Sequence, residues 1–415
     1  MYKGKKKKAS NRSRILECIY RNAPIARTDI AEETEITPAT VTMNVTTLIS
    51  EGFVRELGEA STDEGSSGRK RVLIDIIPDR AYSIGLEFTQ KALVICITDL
   101  KGRIRFQHVE PFNEELAGRI TDAIIDGVKG LVAESGISWD EIVGIGAAVP
   151  GHMNGSASSL VTNRKTWQNF DPKRIEQELP LPIVCENNAR CMALGEYLFS
   201  PQESPDSFAF FHVGMGMFCA NVVDGEMFLG ENYVAGEIGH TIVSEGGRRC
   251  ECGKYGCLQT YASENHLIRN AKLLYKNTPN TILRSLVPDD SLITIETITT
   301  AYSMGDPVIG MYIAEALKYL GITISNIAII TNPGKIFLHG QLFDNQDIQN
   351  ELMDYIERQL IFVDRTYAGN VEILPYTAAD GAVGASALAI LRLWGNKCGP
   401  FLCVLSLRRR HADKI

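Results

Sequence analysis

The sequence lacks several features that would place it in a membrane or outside the cell. No run of apolar residues approaches the ~20 needed to span a bilayer, and the longest lies around Ile142 to Pro150. The N-terminal lysines are not followed by an apolar segment, so we expect no secretory signal. The ten cysteines are scattered apart from one cluster, which favours a reducing, cytoplasmic compartment over a disulfide scaffold. The remaining composition, 45% hydrophobic over 415 residues, is typical of a soluble protein of two or three domains.

Positive charge is concentrated at the N-terminus. Residues 1–30 hold nine Lys or Arg against two acidic residues, whereas the whole chain holds 42 against 50. A basic segment on an acidic chain indicates that this end alone contacts a polyanion. The run from Lys5 to Lys8 fits either a solvated tail or an arm that contacts DNA.

Residues 12–77 have the pattern of three helices followed by a two-stranded hairpin. We expect Thr28 to cap the second helix and Thr37, followed by Pro38, to begin the third. This order of elements predicts a winged helix-turn-helix, whose second motif helix enters the major groove of DNA. A winged-helix module used for protein contacts remains the alternative. The residues expected to contact DNA are Thr37, Thr40, Thr42, Met43, Asn44 and Thr47 on the third helix, and Arg69, Lys70 and Arg71 at the wing.

A second pattern lies between Ala235 and Cys257. The sequence AGEIGH is followed, after nine residues, by CECGKYGC, so His240 precedes Cys250, Cys252 and Cys257. Tetrahedral zinc takes four nitrogen or sulfur ligands, and cysteines this closely spaced on a glycine-rich loop can surround one ion. The spacing therefore predicts one structural zinc per chain. Buried thiols or a disulfide in a loop remain the alternative.

These motifs resemble the ROK family of repressors and sugar kinases, and the likeness runs from about Asn11 to Leu391. The resemblance implies an α/β fold, a two-lobed actin-like (ribonuclease H-like) body preceded by an α+β winged helix-turn-helix domain. It implies a DNA-binding domain at 1–78 and a first lobe at 79–195, completed by a helix at about 377–393. The second lobe would span 196–376. The tail at 394–415 departs from the family pattern and has no functional interpretation.

The resemblance also implies a set of sugar-contacting residues. His240 would bind zinc through one ring nitrogen and a sugar hydroxyl through the other. Asn188 and Gln259 stand where the kinases carry carboxylates, so a sugar phosphate becomes a candidate effector beside a free sugar. The effector-binding residues expected on this basis are Asn163, Asn187, Asn188, Glu237, His240 and Gln259.

Three segments depart from the kinase pattern. Glu87, Thr89 and Gln90 replace an acidic residue and a glycine loop, and Met215 and Phe218 add bulk to a second glycine loop. Asn188 replaces the aspartate expected to act as general base, and an amide cannot accept that proton.

We therefore expect no catalytic residues, no enzyme activity and no ATP. The expected function is that of a sugar-responsive transcriptional repressor, a homodimer or tetramer on double-stranded operator DNA. The alternatives are a DNA-binding sugar kinase acting on a hexose or amino sugar, and a scaffold that binds neither ligand.

Overall fold

The computed structural model of the chain describes residues 10–59, 71–153, 160–162, 165–200, 204–231, 234–360 and 370–394. The chain forms two compact units, Met1–Ser204 together with Ala378–Ile415, and Pro205–Thr377. The first division follows Ser204 rather than residue 195, because the helix that ends the first lobe runs on to Phe199. The expected tail, from residue 395 onward, lies outside the described residues.

The first unit begins with a winged helix-turn-helix. Ile15, Ile19, Val41, Val45 and Leu48 are buried at helical spacing, and they join the helices in one apolar core. The helices are α1 (Asn11–Asn22), α2 (Arg27–Thr34) and α3 (Pro38–Ser50), and the antiparallel strands are β1 (Ile25–Ala26), β2 (Val54–Glu59) and β3 (Val72–Ile76), ordered β1-β3-β2.

One detail of this domain differs from the sequence prediction. The helix α2 begins at Arg27 with Ala26 at its N-cap, so the assignment of Thr28 as the cap was wrong. Ala26 pairs with Leu73 in the sheet, and this pairing fixes where the chain leaves the strand and enters the helix. The hydroxyl of Thr28 donates instead to Oδ1 of Asp29 at 3.1 Å.

The body of the first unit is a mixed sheet covered by helices. Within the described ranges its strands are ordered β10-β7-β4-β5-β6, and β4 pairs with β7 in parallel and with β5 antiparallel. The strands are β4 (Tyr82–Phe88), β5 (Ala92–Asp99), β6 (Ile104–Pro111), β7 (Ile142–Val149) and β10 (Ile183–Asn187), with a small pair β8 (His152–Met153) and β9 (Leu160–Val161). The helices are α4 (Glu114–Gly118), α5 (Ile120–Ser135), α6 (Pro172–Glu178), α7 (Asn188–Phe199) and α14 (Asp380–Ala389).

The helix α14 lies unusually close to this sheet. A Cβ atom on Gly85 of β4 would lie 1.8 Å from the carbonyl oxygen of Ala382, and one on Gly146 of β7 would lie 1.8 Å from that of Ala385. Since no side chain fits at either point, glycine is required at both positions. The C-terminal helix thus completes a unit whose strands come from the first half of the chain.

The second unit contains another mixed sheet, ordered β13-β12-β11-β14-β15 within the described residues. Its helices pack on this sheet around a core that includes Phe211, Leu317 and Leu352. The strands are β11 (Phe208–Val213), β12 (Met217–Val223), β13 (Glu226–Met227), β14 (Lys335–His339) and β15 (Val371–Ile373). The helices are α8 (Gln259–Ala262), α9 (Glu264–Asn277), α10 (Leu283–Leu286), α11 (Ile295–Ser303), α12 (Pro307–Thr331) and α13 (Gln346–Gln359).

One helix is long and apolar enough, by length and composition alone, to cross a membrane, although Glu315 and Lys318 interrupt its apolar residues. Among the described residues, α12 has 25 residues and a mean hydropathy of 1.4 in its most apolar window. In this structure, 56% of that window is buried, and Ile313, Leu317 and Leu320 lie in the core of the second unit. Its apolar composition is therefore that of a core helix.

Candidate functional site

The helix α3 presents the side chains expected to meet DNA. Val41, Val45 and Leu48 face the core, so the opposite face of α3 is left to solvent. Met43 is 64% exposed, and Thr37, Thr42 and Thr47 are also exposed, whereas Thr40 and Asn44 are half-buried. A turn with Glu35 in the left-handed region (φ 54°) joins α2 to α3, as the helix-turn-helix geometry requires.

Most polar groups on this face already have hydrogen-bond partners in the helix. Asn44 donates from Nδ2 to the carbonyl of Thr40 at 2.8 Å, and Thr47 donates to that of Met43 at 3.0 Å. The hydroxyls of Thr37 and Thr40 lie 2.9 Å apart. These side chains therefore present acceptor lone pairs outward, and Asn44 retains its second amide proton for a base edge.

Of the wing residues expected to contact DNA, Arg71 is described. Arg71 is exposed and forms an ion pair with Asp29 of α2, with Nη1 and Oδ1 separated by 3.2 Å. Such an exposed pair is weak and exchanges readily for a phosphate. Arg69 and Lys70 lie outside the described residues, as does the run from Lys5 to Lys8.

The four residues predicted to bind zinc lie together. The Nδ1 of His240 lies 3.6 Å from Sγ of Cys250, and Sγ of Cys252 lies 3.7 Å from Sγ of Cys257. All four ligand atoms lie within 4.8 Å of one another. A tetrahedron with metal–sulfur bonds of ~2.3 Å has edges of ~3.8 Å, so this donor set has the size and chemistry of a zinc site. A sulfur separation of 3.7 Å between Cys252 and Cys257 excludes a disulfide, whose sulfurs lie ~2.05 Å apart.

Backbone hydrogen bonds hold this loop in shape. Cys250 donates from its backbone nitrogen to the carbonyl of Lys254 at 2.8 Å, and Gly253 donates to that of Cys250 at 3.0 Å. Gly256 has φ +77°, and a Cβ atom there would lie 1.7 Å from the carbonyl oxygen of Ser244. This glycine is therefore required for the loop to fold back on itself.

His240 has one ring nitrogen facing the cysteines and the other on the opposite edge of the ring. Because Nδ1 is the atom near Cys250, Nε2 is left for a different partner. Glu237 is half-buried and lies directly before the short helical turn Ile238–His240. Among the described residues, no side chain hydrogen-bonds to its carboxylate. Gln259 donates from Nε2 to Sγ of Cys250 at 3.3 Å, so its amide supports the metal ligands.

The asparagines of the first unit lie at the start of α7. Asn187 caps this helix by accepting from the backbone nitrogen of Arg190 at 3.3 Å, and its Nδ2 donates to the carbonyl of Gly151 at 2.9 Å. Asn188 donates from Nδ2 to Oε1 of Glu87 at 3.4 Å. Asn163, the third asparagine expected at a sugar site, lies outside the described residues.

The sequence did not reveal the environment of Glu87. The residue is only 5% exposed, and its carboxyl group lies against Gly381 in the first turn of α14. Burial raises the pKa of Glu87 to about 7, and the hydrogen bond from Asn188 opposes this rise while the charge of Asp380 adds to it. A carboxyl group whose pKa lies near neutrality is therefore hydrogen-bonded to Asn188.

The turns at Thr89 and Gly214, which the sequence comparison with the kinases singled out, are closed by their own hydrogen bonds. The Thr89 hydroxyl accepts from the backbone nitrogens of Lys91 and Ala92 at 3.1 and 3.4 Å. In the second unit, Gly214 donates from its backbone nitrogen to the carbonyl of Gly216 at 2.9 Å. These amides already have partners, whereas a phosphate cradle needs amides that point to an open space.

A pair of histidines was also missed. His212 of β11 and His339 of β14 are direct neighbours on two parallel strands of this mixed sheet, and their Nδ1 atoms lie 2.9 Å apart. One ring must donate and the other accept, so this contact holds a single proton. Each histidine lies near the end of a nearly continuous apolar strand, and the two are 127 positions apart in the sequence, so no local pattern indicated the pair.

Comparisons with known proteins agree with these features. The sequence model of the ROK family matches residues 83–392, and that of winged helix-turn-helix DNA-binding domains matches residues 10–55. The xylose repressor of Bacillus subtilis (strain 168) is 25% identical over 394 residues, 92% of this chain and 95% of the repressor. The N-acetylglucosamine repressor of Escherichia coli O157:H7 is 25% identical over 339 residues, 81% of each chain.

Solved structures share the fold. A ROK family transcriptional regulator, described as a homolog of the E. coli MLC protein, superposes with a TM-score of 0.70 at 24% identity and covers 92% of this chain and 96% of its own. A ROK hexokinase from Thermus thermophilus superposes with a TM-score of 0.61 at 23% identity, covering 75% of this chain and 99% of its own. Since the family model matches about three quarters of the sequence, this chain belongs to the ROK family.

Proposed function

We propose that this protein is a sugar-responsive transcriptional repressor that acts in the cytoplasm. The observation that carries the proposal is the presence, in one chain, of a winged helix with an exposed α3 face and a ROK body. Relatives named as xylose and N-acetylglucosamine repressors match 92% and 81% of this chain at 25% identity, over both regions. The proposed partners are double-stranded operator DNA and a sugar or sugar phosphate.

In the DNA-bound state, α3 lies in the major groove and the wing contacts the backbone. Met43 and the threonine methyl groups of α3 meet thymine methyls, while Asn44 reads a base edge. Arg69, Lys70 and Arg71 of the wing bind phosphates without reading sequence. Since one such domain covers one half-site, the protein acts as a homodimer on a palindromic operator.

In the second unit, His240 and the three cysteines hold one zinc ion. The ion fixes the tautomer of His240, so that Nε2 faces a sugar hydroxyl while Glu237 accepts hydrogen bonds from the sugar. Within the described part of the chain, the Glu237 carboxylate and Nε2 of His240 have no side-chain hydrogen-bond partner, which supports this assignment. Gln259 supports Cys250 through its Nε2 atom and offers its amide oxygen to the sugar.

In the first unit, Asn187 and Asn188 provide amide contacts for the same class of ligand, together with Asn163. Asn188 cannot take a proton from a sugar hydroxyl, and the turns at Thr89 and Gly214 leave no open amide cradle for phosphates. These features support a body that senses sugar without phosphorylating it. A DNA-binding sugar kinase is the competing function, supported by the fold shared with the ROK hexokinase.

Two measurements on the full-length protein test the proposal. Duplexes that the protein selects from a random-sequence pool should be palindromic, and affinity for them should fall steeply as salt rises. Adding D-xylose, D-glucose, N-acetyl-D-glucosamine or the 6-phosphates of the last two should weaken binding about 5- to 150-fold for at least one compound. A coupled ATP assay with the three free sugars should show background turnover. Sugar-dependent phosphorylation, or failure to select any duplex, would overturn the proposal.

A further inference from the structure

The helix α7 connects two functional regions of the first unit. It begins beside Asn187 and Asn188, the proposed ligand contacts, and ends at Phe199. Twelve helical residues span ~18 Å. The last turn of α7 lies against the winged helix, so the two ends of one rigid element contact the ligand residues and the DNA reader.

Side-chain bonds fix the first turn of α7 in place. Asn187 binds the carbonyl of Gly151, and Asn188 binds Glu87. Arg190 is 1% exposed and pairs with Glu186, with Nη1 and Oε1 at 3.2 Å. Separating a buried arginine from its carboxylate partner costs free energy. A ligand that shifts this turn is therefore expected to move the whole helix rather than its side chains alone.

The last turn of α7 carries the contact with the DNA reader. Tyr197 is 2% exposed, and the guanidinium carbon of Arg21 lies 4.5 Å from the centre of its ring. Arg21 is in the last turn of α1, the first helix of the winged domain. A guanidinium over a tyrosine face at this distance is a cation–π contact, which strengthens as water is excluded.

A second contact joins the wing to the same region of the body. Lys101, in the turn between β5 and β6, binds both carboxylate oxygens of Asp75 in β3 at 2.7 Å. This turn also touches α7, because the ring of Phe199 covers Gly102, where a Cβ atom would lie 2.4 Å from Cδ2 of the ring. Thus α1 and the wing both contact elements held by the end of α7.

The helix α7 is in turn held against α14 by its backbone. A Cβ atom on Gly384 would lie 2.2 Å from the carbonyl oxygen of Cys191, and one on Gly195 would lie 3.1 Å from Cα of Gly384. With no side chains between the helices, a displacement of one is passed to the other instead of being absorbed by rotamers.

We propose that Arg21, Tyr197, Lys101 and Asp75 are positioning residues that align the DNA reader with α7. A ligand that shifts the Asn188 end of α7 thereby changes the orientation of α3 and the affinity for the operator. This inference rests on the proposed function, since it needs a sequence-specific DNA reader. It requires no knowledge of the effector, because a substitution can move α7 in place of the ligand.

Gly195→Ala supplies that displacement in the sugar-free protein. Its Cβ at 3.1 Å from Gly384 pushes α7 away from α14 by a few tenths of an ångström. We expect Gly195→Ala to change affinity for the selected duplex by about threefold or more, the size of coupling between residues in one network. In an Arg21→Leu/Lys101→Met background, the same substitution should change affinity by less than about 1.5-fold. Gly310→Ala in α12, whose Cβ would have nothing within 4 Å, is the matched control.

A second series guards against simple loss of folding. Tyr197→Phe keeps the ring under Arg21 and should retain the response to Gly195→Ala, whereas Tyr197→Leu should lose it. Circular dichroism melting identifies variants that fail to fold. If the Arg21→Leu/Lys101→Met background does not fold, the comparison of Tyr197→Phe with Tyr197→Leu tests the coupling by itself. Equal effects of Gly195→Ala in all backgrounds, or no effect in the wild-type background, would refute the coupling. A wild type that binds no duplex would refute the proposed function and the coupling together.

Discussion

Asn188, at the first residue of α7, donates from its Nδ2 atom to Oε1 of Glu87 at the end of β4, 3.4 Å away. The two residues occupy positions where the kinases of this family would be expected to carry acidic groups. In this chain one is an amide, and the other is a carboxyl group buried beneath the first turn of α14. The pair therefore forms a buried hydrogen bond between an amide and a carboxyl group.

Glu87 should make stability depend on pH near neutrality. Its folded-state pKa of about 7 lies above the ordinary value of 4.5, so the folded protein holds this proton more tightly than the unfolded chain. The stability that Glu87 contributes is complete below pH 4.5 and is lost as pH rises towards 7. Glu87→Gln should remove that loss, because the amide carries no charge at any pH. Its free energy of unfolding should exceed that of the wild type by on the order of 3 kcal/mol at pH 8 and by little at pH 4.5. Denaturant unfolding at several pH values measures this difference.

The control for this comparison is Glu357→Gln, which alters an exposed carboxylate on α13. If the difference in free energy of unfolding between variant and wild type is independent of pH for both variants, Glu87 ionises as an ordinary carboxylate and the prediction is wrong.

Removal of a metal ligand should release zinc and weaken the second unit. We expect metal analysis to find one zinc per chain in the wild type and well under one in Cys252→Ser. Loss of a structural metal site typically costs several kcal/mol, which corresponds to a fall in Tm of roughly 5–15 °C for a unit of this size. Cys185→Ser, a free cysteine outside the cluster, should keep its zinc. Full stability of the wild type after chelation would contradict a structural ion.

Substitutions on α3 and at the wing should have different effects on DNA binding. Asn44→Ala should weaken the free energy of operator binding by about 1–3 kcal/mol and change the base preference at one position of each half-site. Arg71→Ala should weaken binding to all sequences alike and reduce the salt dependence by about one ion. Titrations of the selected duplex and of single-base variants at several salt concentrations separate the two. Deletion of residues 1–75 should abolish binding, and unchanged affinity would mean that another surface reads DNA.

Glu237→Ala should separate sensing from DNA binding. The loss of a charged acceptor should weaken sugar binding by about 10- to 100-fold, since hydrogen bonds to charged groups contribute about 1.5–3 kcal/mol. Operator affinity without sugar should stay at the wild-type value, because Glu237 and α3 belong to different units. Glu245→Ala, an exposed residue in the same loop region, is the control. A variant that still responds fully would place the effector elsewhere.

Local patterns predicted much of the fold. Thr37-Pro38 marked the start of α3, and runs of apolar residues marked β4, β5 and β7. The cysteine spacing predicted a cluster that the structure brings together. These features depend on residues close in sequence, so their periodicity and spacing are visible without the fold.

Features that depend on distant residues were not predictable. Glu87 and Asn188 are separated by 101 positions, and His212 and His339 by 127. The start of α2 at Arg27 depends on the pairing of Ala26 with Leu73, which cannot be read from the segment alone. The supporting role of Gln259 also emerged only when its amide was placed beside Cys250.

The order of segments along the chain has a consequence for biosynthesis. The close approach of Gly85 and Gly146 to α14 means that the first unit lacks its covering helix until the ribosome has made the whole second unit. The intervening residues, 205–377, take roughly 10–30 s to synthesise at ~5–20 residues per second. During that time the DNA-binding domain can fold on an incomplete body. A chain terminated before α14 would therefore leave the sheet face that carries Gly85 and Gly146 without its covering helix.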